Sequence, residues 1–134
     1  MHRLTAPALL ASALLALSAL ALADKPPVPA KVAALLKGKT DRNHVMVSGR
    51  IADFKARTSR AGNAYFTFDL VDGTQSIAVY GRGKVAKVPA SGTRVMVTGD
   101  FRKVKKVGDR TFTNELDITP KKKGQAPRIA VLPK

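Results

Sequence analysis

Between residues 44 and 119 apolar side chains recur at every second position in five separate stretches, and this alternation constrains the fold more than any other feature of the chain. An extended strand sends successive side chains to opposite faces, so a period of two marks a strand with one face buried and the other in water. Val45, Val47 and Ile51 line one side of a first strand, Phe66, Phe68 and Leu70 of a second, and Ile77 and Val79 of a third. Val95, Val97 and Phe101 do so in a fourth, and Phe112, Leu116 and Ile118 in a fifth. Five strands that share one inward face predict an all-β unit around a single core.

The turns are legible as well. Asp72-Gly73 is a hairpin signal between the second and third strands, and Gly108-Asp109 sits in a charged hairpin between the fourth and fifth. The longer connection at 81–92, GRGKVAKVPASG, offers Val85 and Val88 as a plug for one end of a barrel. A five-residue echo, VMVSG at 45–49 and VMVTG at 95–99, is too short to indicate a repeat protein. It fits two long, strongly bent strands, with glycine permitting the bulges that such bending needs.

The flanks divide the chain into four parts. Residues 1–23 have the form of a secretory signal peptide: an early Arg3, an apolar run rich in Leu and Ala, and Ala21-Leu22-Ala23 before Asp24. An uncleaved anchor is the competing reading, because residues 4–23 could almost span a bilayer. Pro7, two serines and the small residues at the cleavage site favour removal after Ala23. The expectation is therefore a periplasmic or secreted product with no stable membrane insertion, and the missing cysteine rules out a lipoprotein anchor at the first mature residue. Residues 24–43 form a Pro-rich lead, expected to be extended and unpaired, followed by a short helix at 30–37 that Gly38 can stop. Residues 44–119 are the folded unit. The tail at 120–134 has three prolines and five basic residues and reads as flexible, with Lys121 to Lys123 adding nonspecific attraction for anions.

Without cysteine no disulfide can help, so stability must come from a packed core. The formal charge of +15, which loss of Arg3 would lower to +14, demands an anionic partner or tolerance of strong self-repulsion.

Three stretches carry a family resemblance: V-x-V-x-G-R-I at 45–51, AYFTFDLVDGTQSIAVYG at 64–81 and SGTRVMVTGDF at 91–101. Together they resemble the OB-fold of anticodon-binding and single-strand-binding domains. The resemblance implies a five-stranded Greek-key β-barrel whose second and third strands, with the loops joining strands one to two and four to five, form the binding face. By position it sends Tyr65, Thr67 and Asp69 outward from the second strand and Ala78, Tyr80 and Arg82 outward from the third, with Arg50 flanking them from the first. The two loops add Lys55, Arg57 and Arg60, and Lys103, Lys105, Lys106 and Arg110. Strong single-strand binders rely on aromatic stacking. This chain has no tryptophan, and Tyr65 and Tyr80 are the aromatics that strand parity sends outward, with Phe54 near the edge of the face.

Catalytic parts are missing from this reading. His2 leaves with the signal peptide, His44 stands alone and there is no thiol nucleophile. Asp69 and Asp72, three positions apart on a strand and its turn, point to opposite faces. No cluster has zinc or calcium spacing, and no cofactor is expected. The segments VYGRG and SGTRVMVTGDF are also similar to the haem chaperone of cytochrome c maturation. That family holds haem through a histidine near the C-terminal end of its barrel, and here none follows His44. Three functions remain: a binder of single-stranded DNA or RNA with little sequence preference, an envelope protein for another polyanion such as acidic polysaccharide or an anionic membrane surface, or a protein-interaction scaffold.

Overall fold

The computed structural model describes residues 25–122 and 124–133; the expected signal peptide at 1–23 and the tail lysine Lys123 lie outside the described residues. The elements in chain order are β1 (Val28–Pro29), α1 (Val32–Lys37), β2 (Arg42–Thr58), β3 (Ala64–Asp72), β4 (Gln75–Arg82), β5 (Arg94–Val107), β6 (Arg110–Asp117) and β7 (Ile129–Val131).

The five strands expected from the alternation are β2 to β6, and their pairings return to the starting strand. β2 pairs with β3, β3 with β4, β4 with β6, β6 with β5, and β5 again with β2. Every neighbour in this ring is antiparallel except β4 and β6, which run parallel. This closed order gives the chain an OB-like fold. Inside lie Val45, Val47, Ile51, Phe66, Phe68, Leu70, Ile77, Val79, Val95, Val97, Phe101, Leu116 and Ile118, all but fully buried.

The VMVSG and VMVTG segments form the closing ladder and pair with each other. Val45 faces Gly99, Val47 faces Val97 and Gly49 faces Val95, so the echo is a local two-fold symmetry about the Val47–Val97 pair. Its glycines do not mark the bulges that the sequence suggests. The register shifts lie at Arg42/Val45 and Ala52/Lys55, where His44 (φ 53°) and Asp53 (φ 55°) take the left-handed conformation. Gly49 and Gly99 serve close approach instead. A Cβ on Gly49 would come 2.8 Å from the Val71 carbonyl oxygen, and one on Gly99 would collide with the Asp117 carbonyl. A third glycine, Gly81, leaves room for the ring of Phe66.

Beyond the ladder, side chains take over the backbone hydrogen bonds. Asp41 Oδ1 accepts from the Lys103 N–H at 2.9 Å and Asp100 Oδ1 from the His44 N–H at 2.8 Å. Burial pushes the Asp100 carboxyl up, but the hydrogen bonds from Lys121 and the His44 N–H, with the charges of Lys121 and Arg102, outweigh it and hold the carboxyl below its ordinary value.

The flanks are more ordered than the sequence suggests. β1 pairs in parallel with β2, Val28 opposite Val45, and the Ala30 N–H donates to the Met46 carbonyl at 3.0 Å. Pro29 is tolerated there because the pairing is two residues long and β1 is an edge strand. The helix begins two residues later than expected and buries Val32 and Leu35 in the core. Gly38 caps it at φ −65°, a conformation open to any residue, while Lys103 Nζ donates to the Leu35 and Leu36 carbonyls at 3.2 and 3.1 Å. The tail is not simply flexible: β7 pairs antiparallel with Val95–Val97 of β5, and Lys121 bridges to Asp100 at 2.8 Å. Of the two valines expected to plug the barrel, Val85 packs against the core, whereas Val88 is exposed.

Replacing Gly99 with alanine should lower stability by about 1–3 kcal/mol, because the new methyl meets rigid backbone rather than a movable side chain. A urea titration measures this, with alanine at the open turn residue Gly62 as a left-handed control that clashes with nothing.

Candidate nucleic-acid interface

The outward face of β3 and β4 carries Tyr65 opposite Arg82 and Thr67 opposite Tyr80. The two tyrosine rings meet on the diagonal, their centroids 5.7 Å apart and their planes tilted by 40°. Alongside, β2 places Arg57 opposite Tyr65 and Lys55 opposite Thr67.

The β5–β6 hairpin then extends past the ring, pairing Val104 with Thr113, Lys105 with Phe112 and Val107 with Arg110. Alternation from Leu116 would send Phe112 into the core. It does not reach it, and the expectation of an inward Phe112 is overturned: the residue is 36% exposed. Asn114 is the cause. Its φ of 52° is left-handed, a conformation asparagine tolerates better than most residues, and it breaks the alternation between Leu116 and Phe112. Asn114 Oδ1 is buried without a hydrogen-bond partner, so the reversal leaves a polar atom unsatisfied.

As a result the hairpin lies over the tyrosine face. Lys105 Nζ sits 4.3 Å from the centroid of Tyr80 and 5.8 Å from that of Phe112, and it bonds Glu115 Oε1 at 2.7 Å. Glu115 is 6% exposed, so Lys105 answers a buried carboxylate and is not free for a ligand. A cleft of about 670 Å³ opens between hairpin and face.

Eight of the residues expected at the interface line this cleft: Arg57, Arg60, Tyr65, Thr67, Tyr80, Arg82, Lys105 and Arg110. Four stand elsewhere. Lys55 is outward but exposed and 3.6 Å from Asp53. Lys103 caps α1, as described above. Lys106 pairs with Thr111, one position out of phase with the Lys105–Phe112 pair that faces the cleft. Arg50 lies opposite Arg94 toward the far end of β3. Asp69 and Ala78 pair with each other further along the face and do not line the cleft.

The sequence reading missed Phe112, Ser59, Val107 and Asp117, which complete the lining. Asp117 was findable by parity, being two positions from Glu115 on the outward side of β6. Phe112 was findable only through the asparagine two residues after it. Phe54, placed near the edge of the face by sequence, turns inward instead and stacks on Phe66 and Phe68 at 5.7 and 6.1 Å.

Electrostatically the cleft is mainly cationic, with Asp117 as its acidic member. Among the described residues no carboxylate forms an ion pair with Arg57, Arg60, Arg82 or Arg110. Asp117 Oδ1 accepts the Thr119 N–H at 2.9 Å. Hydrogen bonding to Tyr80 holds the Arg82 guanidinium above its ordinary value, and the Asp117 carboxylate adds to the shift. No group of three or more metal-ligating side chains comes together among the described residues.

No family model and no curated protein matches the chain. Among solved structures it is similar to the solution NMR structure of the OB domain of a Thermoplasma acidophilum protein, at 17% identity and a TM-score of 0.48, covering 79% of this chain and 88% of that one. A likeness of that size carries no argument, and the OB-like fold rests on the strand pairing.

If Phe112 belongs to the cleft, its replacement by alanine should change stability by less than about 1 kcal/mol, whereas Leu116→Ala should cost roughly 2–5 kcal/mol. Thermal or urea unfolding of the two variants side by side checks this.

Proposed function

We propose that this protein binds single-stranded DNA or RNA in the cleft between the β3–β4 face and the β5–β6 hairpin, with little sequence preference. The observation that carries the proposal is the meeting of three aromatic rings, Tyr65, Tyr80 and Phe112, with four arginines that form no ion pair among the described residues. Single-strand binders combine these two elements, cations tracking the phosphates and aromatic faces receiving the bases. Paired bases keep their faces stacked inside the helix, so an aromatic cleft favours strands whose bases are free. Stacking suits every base, which is why sequence preference is expected to be weak.

The chemistry proposed is binding without catalysis. Export is part of the same proposal and rests on the sequence of residues 1–23, which would place the protein where it meets nucleic acid released or taken up across the envelope.

Anisotropy of labelled single-stranded DNA, single-stranded RNA, duplex DNA and a sulfated polysaccharide, titrated with the purified protein at several salt concentrations, tests the reading. Single strands should bind most tightly and still bind near physiological salt. With about four cations on phosphates, the log–log salt slope should be near −2.8. Alanine at Tyr65, Tyr80 or Phe112 should each cost about 1–3 kcal/mol for every base that stacks there. Equal binding to all four polymers, lost together as salt rises, would replace this reading with the general polyanion one.

A further inference from the structure

A second basic locus lies outside the aromatic cleft. Arg50 of β2 and Arg94 of β5 are directly paired across the closing ladder, so their side chains leave the same face side by side. Like charges placed opposite each other repel, and a pair of this kind ordinarily has a carboxylate between its members. Here neither arginine forms an ion pair with a described residue. Both flank a cleft of about 320 Å³ whose remaining lining is Ser48, Gly49, Val71, Asp72 and Gly73. Its acidic member, Asp72, is an exposed residue of the β3–β4 turn beyond ion-pair distance of both guanidinium groups.

The site is also partly organised. Arg50 Nη1 donates to the Gly92 carbonyl at 2.9 Å, which orients the guanidinium while using one of its five donors. Two planar forks, one of them pre-set, match the oxygens of a phosphate group better than they match a carboxylate or a lone halide.

We infer that Arg50 and Arg94 form a two-arginine site for a phosphate group, separate from the aromatic cleft. Free phosphate and the phosphodiester of a strand present the same chemistry to it. Val71, opposite Arg50, is six positions along β3 from Tyr65, or about 20 Å at the rise of a strand. On the single-strand reading, this site holds a backbone phosphate at that distance from the bases stacked in the cleft.

The test follows the arginine Nε–H signals of the full protein by NMR, first with inorganic phosphate and then with oligothymidylates shorter and longer than that gap. Inorganic phosphate should shift Arg50 and Arg94 together along one saturable curve. Arg94→Ala should weaken the Arg50 response about tenfold or more, the loss expected for a charged hydrogen-bonding partner, and Asp72→Asn should strengthen it. Signals elsewhere in the spectra of both variants report that they are folded. Long oligothymidylates should move both loci, and short ones the aromatic cleft alone. A linear, unsaturable phosphate response, or an Arg50 response unchanged by Arg94→Ala, overturns the site. Saturable phosphate binding with no oligothymidylate effect at Arg57 or Arg82 of the aromatic cleft instead overturns the single-strand reading and leaves the phosphate site standing.

Discussion

The ladder between Val45–Gly49 and Val95–Gly99 converts a row of hairpins into a closed ring, and the rest of the molecule depends on it. β2 and β5 are long enough to serve two ring partners each, besides the short flanking strands β1 and β7. Their N-terminal halves pair with one another, and their C-terminal halves diverge, β2 to β3 and β5 to β6. Closure removes most of the edges that an open sheet would expose and buries both rows of valines in one core. It also fixes where β5 points on leaving the ring, and so brings the β5–β6 hairpin across the tyrosines of β3 and β4. The glycines of the ladder belong to this geometry, because Gly49 and Gly99 lie where a neighbouring backbone passes too closely for a side chain.

Much of this was legible in the residues. Period-two alternation located the five ring strands and nearly all of their buried residues, since burial on one face is what selects such a pattern. The OB-fold resemblance, carried over by strand and loop position, located eight of the residues lining the cleft. What escaped was set by three residues, His44, Asp53 and Asn114, whose left-handed conformations shift register or reverse alternation. Their types allow that conformation without demanding it, so parity carried forward past them fails. Phe54 and Phe112 accordingly exchanged places, the first joining the core and the second the cleft. The pairing of β1 and β7 was illegible for another reason: two- and three-residue strands beside prolines have no periodicity to read.

Charge count proved a coarse guide to the cleft. Lys103 is consumed by the carbonyls at the end of α1 and Lys105 by the buried Glu115, so two of the loop cations hold the protein together and the uncommitted charge of the cleft is carried by arginines. An arginine guanidinium spreads its charge over a plane and can both stack and bond phosphate, whereas a lysine offers a compact point charge. On the proposed reading, the cleft presents its free positive charge in the form suited to a polyanion with aromatic bases.

The chain has two tyrosines and no tryptophan, and both tyrosines line the cleft, so its intrinsic fluorescence arises from the proposed site alone. The most direct measurement is tyrosine emission during titration with a single-stranded oligonucleotide, corrected for absorption by the strand, in parallel with anisotropy of the labelled strand. Bases stacking on Tyr65 and Tyr80 should change the emission along the same saturation curve as the anisotropy. Binding seen by anisotropy with unchanged tyrosine emission would contradict the account, because the strand would then be held by charge elsewhere on the surface.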